Sequence, residues 1–262
     1  MDGTRVAAGA LTGFVVGMTG VGGGALMTPI LLLAFGTAPL TAVGTDLWFA
    51  AITKLAISGL HVRQGIIDWM VVRRLWLGSL PTSLATVVLM AWFPIADEQL
   101  SVIRMAIALA VLLTAISLLT TSTALAKAEP RRDDAPASQQ QVLGATVVAG
   151  VALGALVTVT SVGAGALGVV FLYRLYPARL TPARLVATDI AHAIPLALCA
   201  GVGHLAISHV DGALLRDLLV GSIPAALLGS QVGTRVPQQL LRYALGVVLF
   251  AVAVTMLVNA IR

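Results

Sequence analysis

Two six-residue stretches decide how this chain folds: Thr19-Gly-Val-Gly-Gly-Gly24 and Thr160-Ser-Val-Gly-Ala-Gly165. Each interrupts an apolar run, at about 5–35 and about 142–176, that is too long for one bilayer-spanning helix of roughly 20 residues. Glycine at this density breaks a helix, because ordering a backbone with no side chain is entropically expensive. The arms on either side are expected to hold about 12–15 residues each, so at a rise of about 1.5 Å they reach about 18–22 Å. That is a little past the middle of a hydrocarbon core about 30 Å thick. Arms of this length suit a re-entrant hairpin, which enters and leaves by one face.

Outside these two runs, long apolar segments lie at about 40–60, 69–92, 99–121, 182–207, 213–233 and 239–260. The 262 residues are 58% hydrophobic and only 10% charged, whereas a soluble domain carries about 25% charged residues. Lipid is therefore the expected solvent. Disorder and disulfide-rich scaffolds are excluded by the same figures, since Cys199 is the only cysteine.

The one polar interval, residues 122–141, is rich in charge and proline and reads as a linker between a first repeat, 1–121, and a second, 142–262. With an offset of 141, Thr19, Gly22, Gly24, Ala25 and Leu26 fall on Thr160, Gly163, Gly165, Ala166 and Leu167. With an offset of 143, Thr45-Asp46 falls on Thr188-Asp189, His61 on His204, Asp68 on Asp211, and Gly78-Ser79-x-Pro81 on Gly221-Ser222-x-Pro224. The chain is read as an internal duplication. A re-entrant hairpin plus three transmembrane helices per repeat turns the second repeat over relative to the first. The expected fold is thus an all-α polytopic membrane protein with two inverted-topology repeats.

Charge gives the orientation. Eleven of the sixteen basic residues (Arg63, Arg73, Arg74, Lys127, Arg131, Arg132, Arg174, Arg179, Arg184, Arg235 and Arg242) fall on the side of the linker. Arg5, Arg104, Arg216 and Arg262 fall on the other. The positive-inside rule then makes the linker cytoplasmic and places both termini outside, in a multi-pass cell membrane protein. The net charge of +5 reports orientation, and no nucleic-acid partner is expected. Trp69 and Trp92 mark the two ends of one span. Arg5 before an apolar run resembles a signal peptide, but its counterpart in the second repeat is internal, so a structural arm is preferred.

Chemistry is expected at the two breaks. A hairpin tip presents unpaired N–H groups and the positive end of a helix dipole, and glycine lets an anion approach them. The candidate substrate-binding residues are Thr19, Gly22, Gly23, Gly24, Thr45, Lys54, Thr160, Ser161, Gly163, Gly165 and Thr188. Lys54 alone among the basic residues lies deep in a span, eight residues from Asp46 and poorly placed to pair with it, so it needs another helix or a bound anion. Asp46, Asp189 and His192 are candidates for a proton relay or gate; equally, the two aspartates could hold backbone groups at helix ends. His192 stands three residues after Asp189 on one helix face, where the first repeat has Phe49. Asp68 and Asp211 read as helix N-caps. The four histidines form no metal-ligand motif, and no catalytic residues and no cofactor are expected.

These motifs have a precedent in order: VGGGALMTPILLL from Val21, AVGTDLWFAAITK from Ala42, His-x-Arg-x-Gly-x-x-Asp-Trp at His61 to Trp69, and GSLP at Gly78, then SVGAGALG from Ser161, ATDIAHAIP from Ala187 and GSIP at Gly221. The chain resembles the TauE/SafE sulfite exporter family over nearly its whole length except the linker. The resemblance implies secondary transport, often outward, of small sulfur-containing anions such as sulfite or organosulfonates, and no enzyme activity. It departs from the family in Asp46 and Asp189, where many members have Thr-Ser, and in Lys54. Expected partners are a small-molecule anion and the lipid bilayer, with a homodimer left open. Competing readings are a proton-coupled carrier of organic carboxylates, a channel, and a non-transporting membrane subunit that docks a partner through the linker.

Overall fold

A computed structural model of the 262-residue chain describes residues 1–20, 24–63, 65–93, 99–127, 139–177, 179–207, 209–233 and 236–261. Among the described residues there are ten α-helices and no strand: α1 (Gly3–Thr19), α2 (Gly24–Leu33), α3 (Pro39–Arg63), α4 (Trp69–Trp92), α5 (Leu100–Lys127), α6 (Gln139–Thr160), α7 (Ala166–Leu175), α8 (Pro182–Ala206), α9 (Gly212–Gly233) and α10 (Gln238–Ile261). Seven are long and apolar enough to cross a membrane, α3 to α6 and α8 to α10. Six coincide within two residues with the unbroken spans expected above. Most of the 122–141 linker lies outside the described residues.

The broken runs differ from expectation. Their arms are unequal: α1 has 17 residues and α6 has 22, while α2 and α7 have 10 each. At about 1.5 Å per residue α6 alone covers about 33 Å and α7 only about 15 Å. α6 begins in the linker at Gln139 and runs unbroken to Thr160, whereas α2 ends ahead of Gly36 (φ +61°) and α7 ahead of Pro177.

Short polar residues fix the helix starts. The Asp2 side chain accepts from the Thr4 N–H, Asp68 from the Val71 N–H, and Asp211 from the N–H groups of Ala213 and Leu214. Thr181 accepts from the Arg184 N–H directly before α8, whose first residue is Pro182.

Helices pack across the two halves of the chain. α1 lies on α9 and α4 on α6; α3 lies on α8 and also on α9, and α8 also on α4; α5 lies on α10. Exchanging the first five helices for the last five reproduces this set of pairs. The α1–α9 and α4–α6 pairs are glycine contacts. A Cβ at Gly9, Gly13 or Gly17 would strike the backbone of Leu218, Ser222 or Ala226, and a Cβ at Gly150 or Gly154 would strike that of Leu75 or Ser79. Close backbone approach of this kind substitutes for the hydrophobic drive that helices lack in lipid. The α5–α10 pair is apolar, with Ile107, Val111 and Ala115 in one cluster with Leu245, Leu249 and Ala253. Leu77, Leu84, Val102 and Leu228 remain exposed, as lipid-facing side chains are, and Trp69 and Trp92 are exposed at the ends of α4.

Candidate functional site

The two breaks meet. Gly24, which opens α2, packs directly on the carbonyl of Ser161, which follows α6, leaving no room for a side chain. Gly22 and Gly23 lie outside the described residues. Ser161 takes φ +58°, the only non-glycine residue with positive φ among those described, while Gly163 (φ +115°) and Gly165 (φ +133°) adopt angles that need glycine. The left-handed turn at Ser161 matches the one at Gly20 (φ +64°), its counterpart after α1. At the other end of α7, the Tyr176 hydroxyl is 2.8 Å from Thr146 Oγ1 and accepts from Arg74 at 3.3 Å. The end of α7 therefore returns to the second turn of α6.

The break threonines serve their own backbone. Thr19 Oγ1 donates to the Val15 carbonyl at 2.7 Å, and Thr160 Oγ1 donates to that of Leu156 at 2.7 Å while accepting from the Val162 N–H at 3.1 Å. Thr45 and Thr188 brace the loops before α9 and α4, accepting the N–H groups of Asp211 and Asp68, each at 3.1 Å.

Charge concentrates beside the breaks. Lys54 is 2% exposed, and its Nζ donates to the Ala164 carbonyl, in the second break, at 3.2 Å. Asp46 accepts from Thr28 Oγ1, and the Ser161 hydroxyl lies beside the same carboxylate. Asp189 packs so tightly on Gly168 of α7 that a Cβ there would collide with Oδ1, yet neither of its carboxylate oxygens has a partner. Lys54 acts on both carboxylates, and Arg242 acts on Asp189 as well. Among the described residues none of these charges forms an ion pair within 4 Å. His192 turns toward α4, with Nε2 2.9 Å from Ser79 Oγ, its carbonyl accepting from Trp76 Nε1 and its Nδ1 unpartnered.

Arg242 adds a buried charge that the sequence reading did not place at the site. Counted above with the linker-side charges, it is 4% exposed and its Nε lacks a partner. The one sequence signal was that it falls three residues inside its expected span. The Ala164 carbonyl had no signal, because any residue supplies one.

Outside the spans, Asp68 joins α4 to the loop before α8: Arg179 donates to both its oxygens, at 2.6 and 3.2 Å. Burial pushes the Asp68 carboxyl up, but the hydrogen bonds and charges of Arg179, Val71 and Arg184 outweigh it and hold it below its usual range. A cleft of about 190 Å³ between α3, α4 and α8 is lined mainly by apolar and aromatic side chains, among them Ile67, Trp69, Trp76, Ile190 and Pro195, with Ser58 the one hydroxyl and no cation. No group of three metal-ligating side chains occurs among the described residues.

A buried lysine held against the break between two other helices, in a chain whose described elements are helical with lipid-facing flanks, is the arrangement of a membrane transporter. The profile of the sulfite exporter TauE/SafE family matches residues 6–256. The chain belongs to the TauE/SafE family. It is 37% identical over 229 residues, 87% of its length and 88% of the relative's, to a protein named probable membrane transporter YjnA of Bacillus subtilis (strain 168). It is 27% identical over 245 residues to probable membrane transporter YdhB of the same strain, covering 90% of this chain and 91% of that one. No solved structure matches. As a TauE/SafE protein the chain is a multi-pass membrane transporter and not an enzyme.

Proposed function

We propose that this TauE/SafE protein carries a small sulfur-containing anion, sulfite or an organosulfonate, by alternating access, binding it where the two breaks meet. The observation that carries the reading is the Lys54 ammonium on the carbonyl of the second break, opposite Gly24 and Ser161. An arriving oxyanion is a better partner for an ammonium than a single neutral carbonyl, and the Ser161 hydroxyl and the start of α7 supply further donors. The exchange-symmetric helix pairs and the return of α7 toward the start of α6 support inverted repeats with re-entrant second arms. The charge asymmetry supports a cytoplasmic linker and external termini.

The moving parts are then not the two repeats. In this reading α1, α2, α3 and α9 move as one body and α4, α6, α7 and α8 as the other, sliding at the α3–α8 contact with α5–α10 as an apolar brace. Side-chain hydrogen bonds group the same way: Asp211 to Thr45, Thr53 to Ser222 and Asp46 to Thr28 in the first body, Asp68 to Thr188, Ser79 to His192 and Ser83 to Thr158 in the second. Among the described residues, Lys54 to Ala164 and Trp48 Nε1 to the Gly201 carbonyl at 2.9 Å cross between them, and Asp46 lies beside Ser161 across the same boundary.

Purified protein in proteoliposomes should show saturable counterflow with sulfite, methanesulfonate or taurine and little with matched carboxylates. Preference for carboxylates, with acidification of entrapped pyranine, would favour the second reading, a proton-coupled carboxylate carrier. That reading draws on the buried carboxylate of Asp46 and the unpartnered oxygens of Asp189.

A further inference from the structure

We infer that Arg242 is a second cation of the anion site and that Asp189 is its resident competitor, a carboxylate that holds the place of the substrate until an anion displaces it. The inference rests on the anion-transport reading above. Asp189 is 1% exposed and Arg242 is 4% exposed, so neither is solvated by bulk water. A buried guanidinium presents five donors and a buried carboxylate about four acceptor positions, and natural interiors satisfy such groups. Here Asp189 Oδ1 and Oδ2 and Arg242 Nε have no partner, and the two side chains interact across more than ion-pair distance. Lys54 acts on the same carboxylate from α3. Asp189 therefore lies within the field of two cations from two different helices and bonds neither.

Its backing explains why it stays there. The glycine at position 168 lets the carboxylate lie against the first turn of α7, the positive end of that helix. The first repeat differs at the matching place, where Met27 fills the position of Gly168 and Asp46 is held by Thr28. An oxyanion with two or three equivalent oxygens can engage an ammonium and a guanidinium together, which a carboxylate tethered to α8 does not manage. Selection for sulfite or sulfonate over a monodentate anion follows from that geometry.

The test is binding of sulfite, kept anaerobic, and of methanesulfonate to the purified full-length protein in detergent, by isothermal titration calorimetry. Arg242→Gln is expected to weaken both at least tenfold, Arg242→Lys to restore part of the loss, and Asp189→Asn to tighten both at least threefold. Wild-type affinity in Arg242→Gln, with Lys54→Met still losing binding, would overturn the inference and leave the anion reading standing. Unchanged or weaker binding in Asp189→Asn would overturn the competitor role. If Arg242→Gln does not fold, Arg242→Lys and Asp189→Asn decide. Binding of neither probe to the wild-type protein would defeat the anion reading itself, and this inference with it.

Discussion

The two halves agree where they build the scaffold and differ where the breaks meet. Thr45 braces Asp211 as Thr188 braces Asp68, and Gly221 packs on Val6 as Gly78 packs on Val147, its counterpart. At the centre the matching positions have parted: Lys54 against Ala197, Gly20 against Ser161, Phe49 against His192, Thr28 against Val169. A duplicated frame with an unsymmetrical centre is what a carrier of a small anion requires. A site that holds one ligand with cations from α3 and α10, and none at their counterparts, cannot be two-fold symmetric, while the frame must offer similar paths to both sides.

Moving the charge to its counterpart is the severest way to break this comparison. The double variant Lys54→Ala with Ala197→Lys keeps composition and charge, and counterflow in proteoliposomes should fall below a tenth of wild type. Full activity would mean the two halves are interchangeable at the site. A smaller, opposed pair of effects is expected at the left-handed residues. A non-glycine residue there costs about 1–2 kcal/mol. Ser161→Gly should therefore raise the Tm by a few degrees yet weaken anion affinity severalfold. Gly20→Ser should lower the Tm, since a side chain there also strikes Val186, and leave affinity unchanged if only Ser161 serves the ligand.

The smallest effect concerns the matching caps. Asn caps a helix about as well as Asp, so Asp68→Asn removes only the charge facing Arg179, whose side chain is 46% exposed. Such a partly solvated pair is worth about 1 kcal/mol or less. Because Asp68 is held below the ordinary aspartate value of about 4, its stabilisation is complete above that pH and is lost as pH falls through the lower folded value. Melting curves of wild type and Asp68→Asn should differ by a degree or two at pH 7 and draw together as the pH is taken well below 4, whereas Asp211→Asn, with no ion pair to Asp211 among those described, should track wild type at pH 7.

The frame was legible in the sequence because its signals are local. Unbroken apolar runs mark α3 to α5 and α8 to α10, and Asp68 and Asp211 mark the starts of α4 and α9. The unequal arms were not legible, since 22 residues from Gln139 to Thr160 contain nothing that says where between the linker and the glycines the bilayer begins. At the site, Lys54 and Asp189 stood out as charges inside spans. Arg242 did not, because an arginine near a span end on the positive side is also what orientation demands. The threonines of the breaks looked like ligand donors, yet Thr19 and Thr160 bond carbonyls one turn back on their own helices. Sequence spacing places a hydroxyl; it does not say which carbonyl takes its proton first.

The central claim is that an anion binds Lys54 between the two breaks. Saturable sulfite counterflow in proteoliposomes carrying Lys54→Met tests it most directly, because replacing a buried charge with an apolar side chain of similar length should leave the fold intact. The account predicts transport below a tenth of wild type from a protein that remains monodisperse and melts cooperatively. Wild-type transport with unchanged saturation would contradict it.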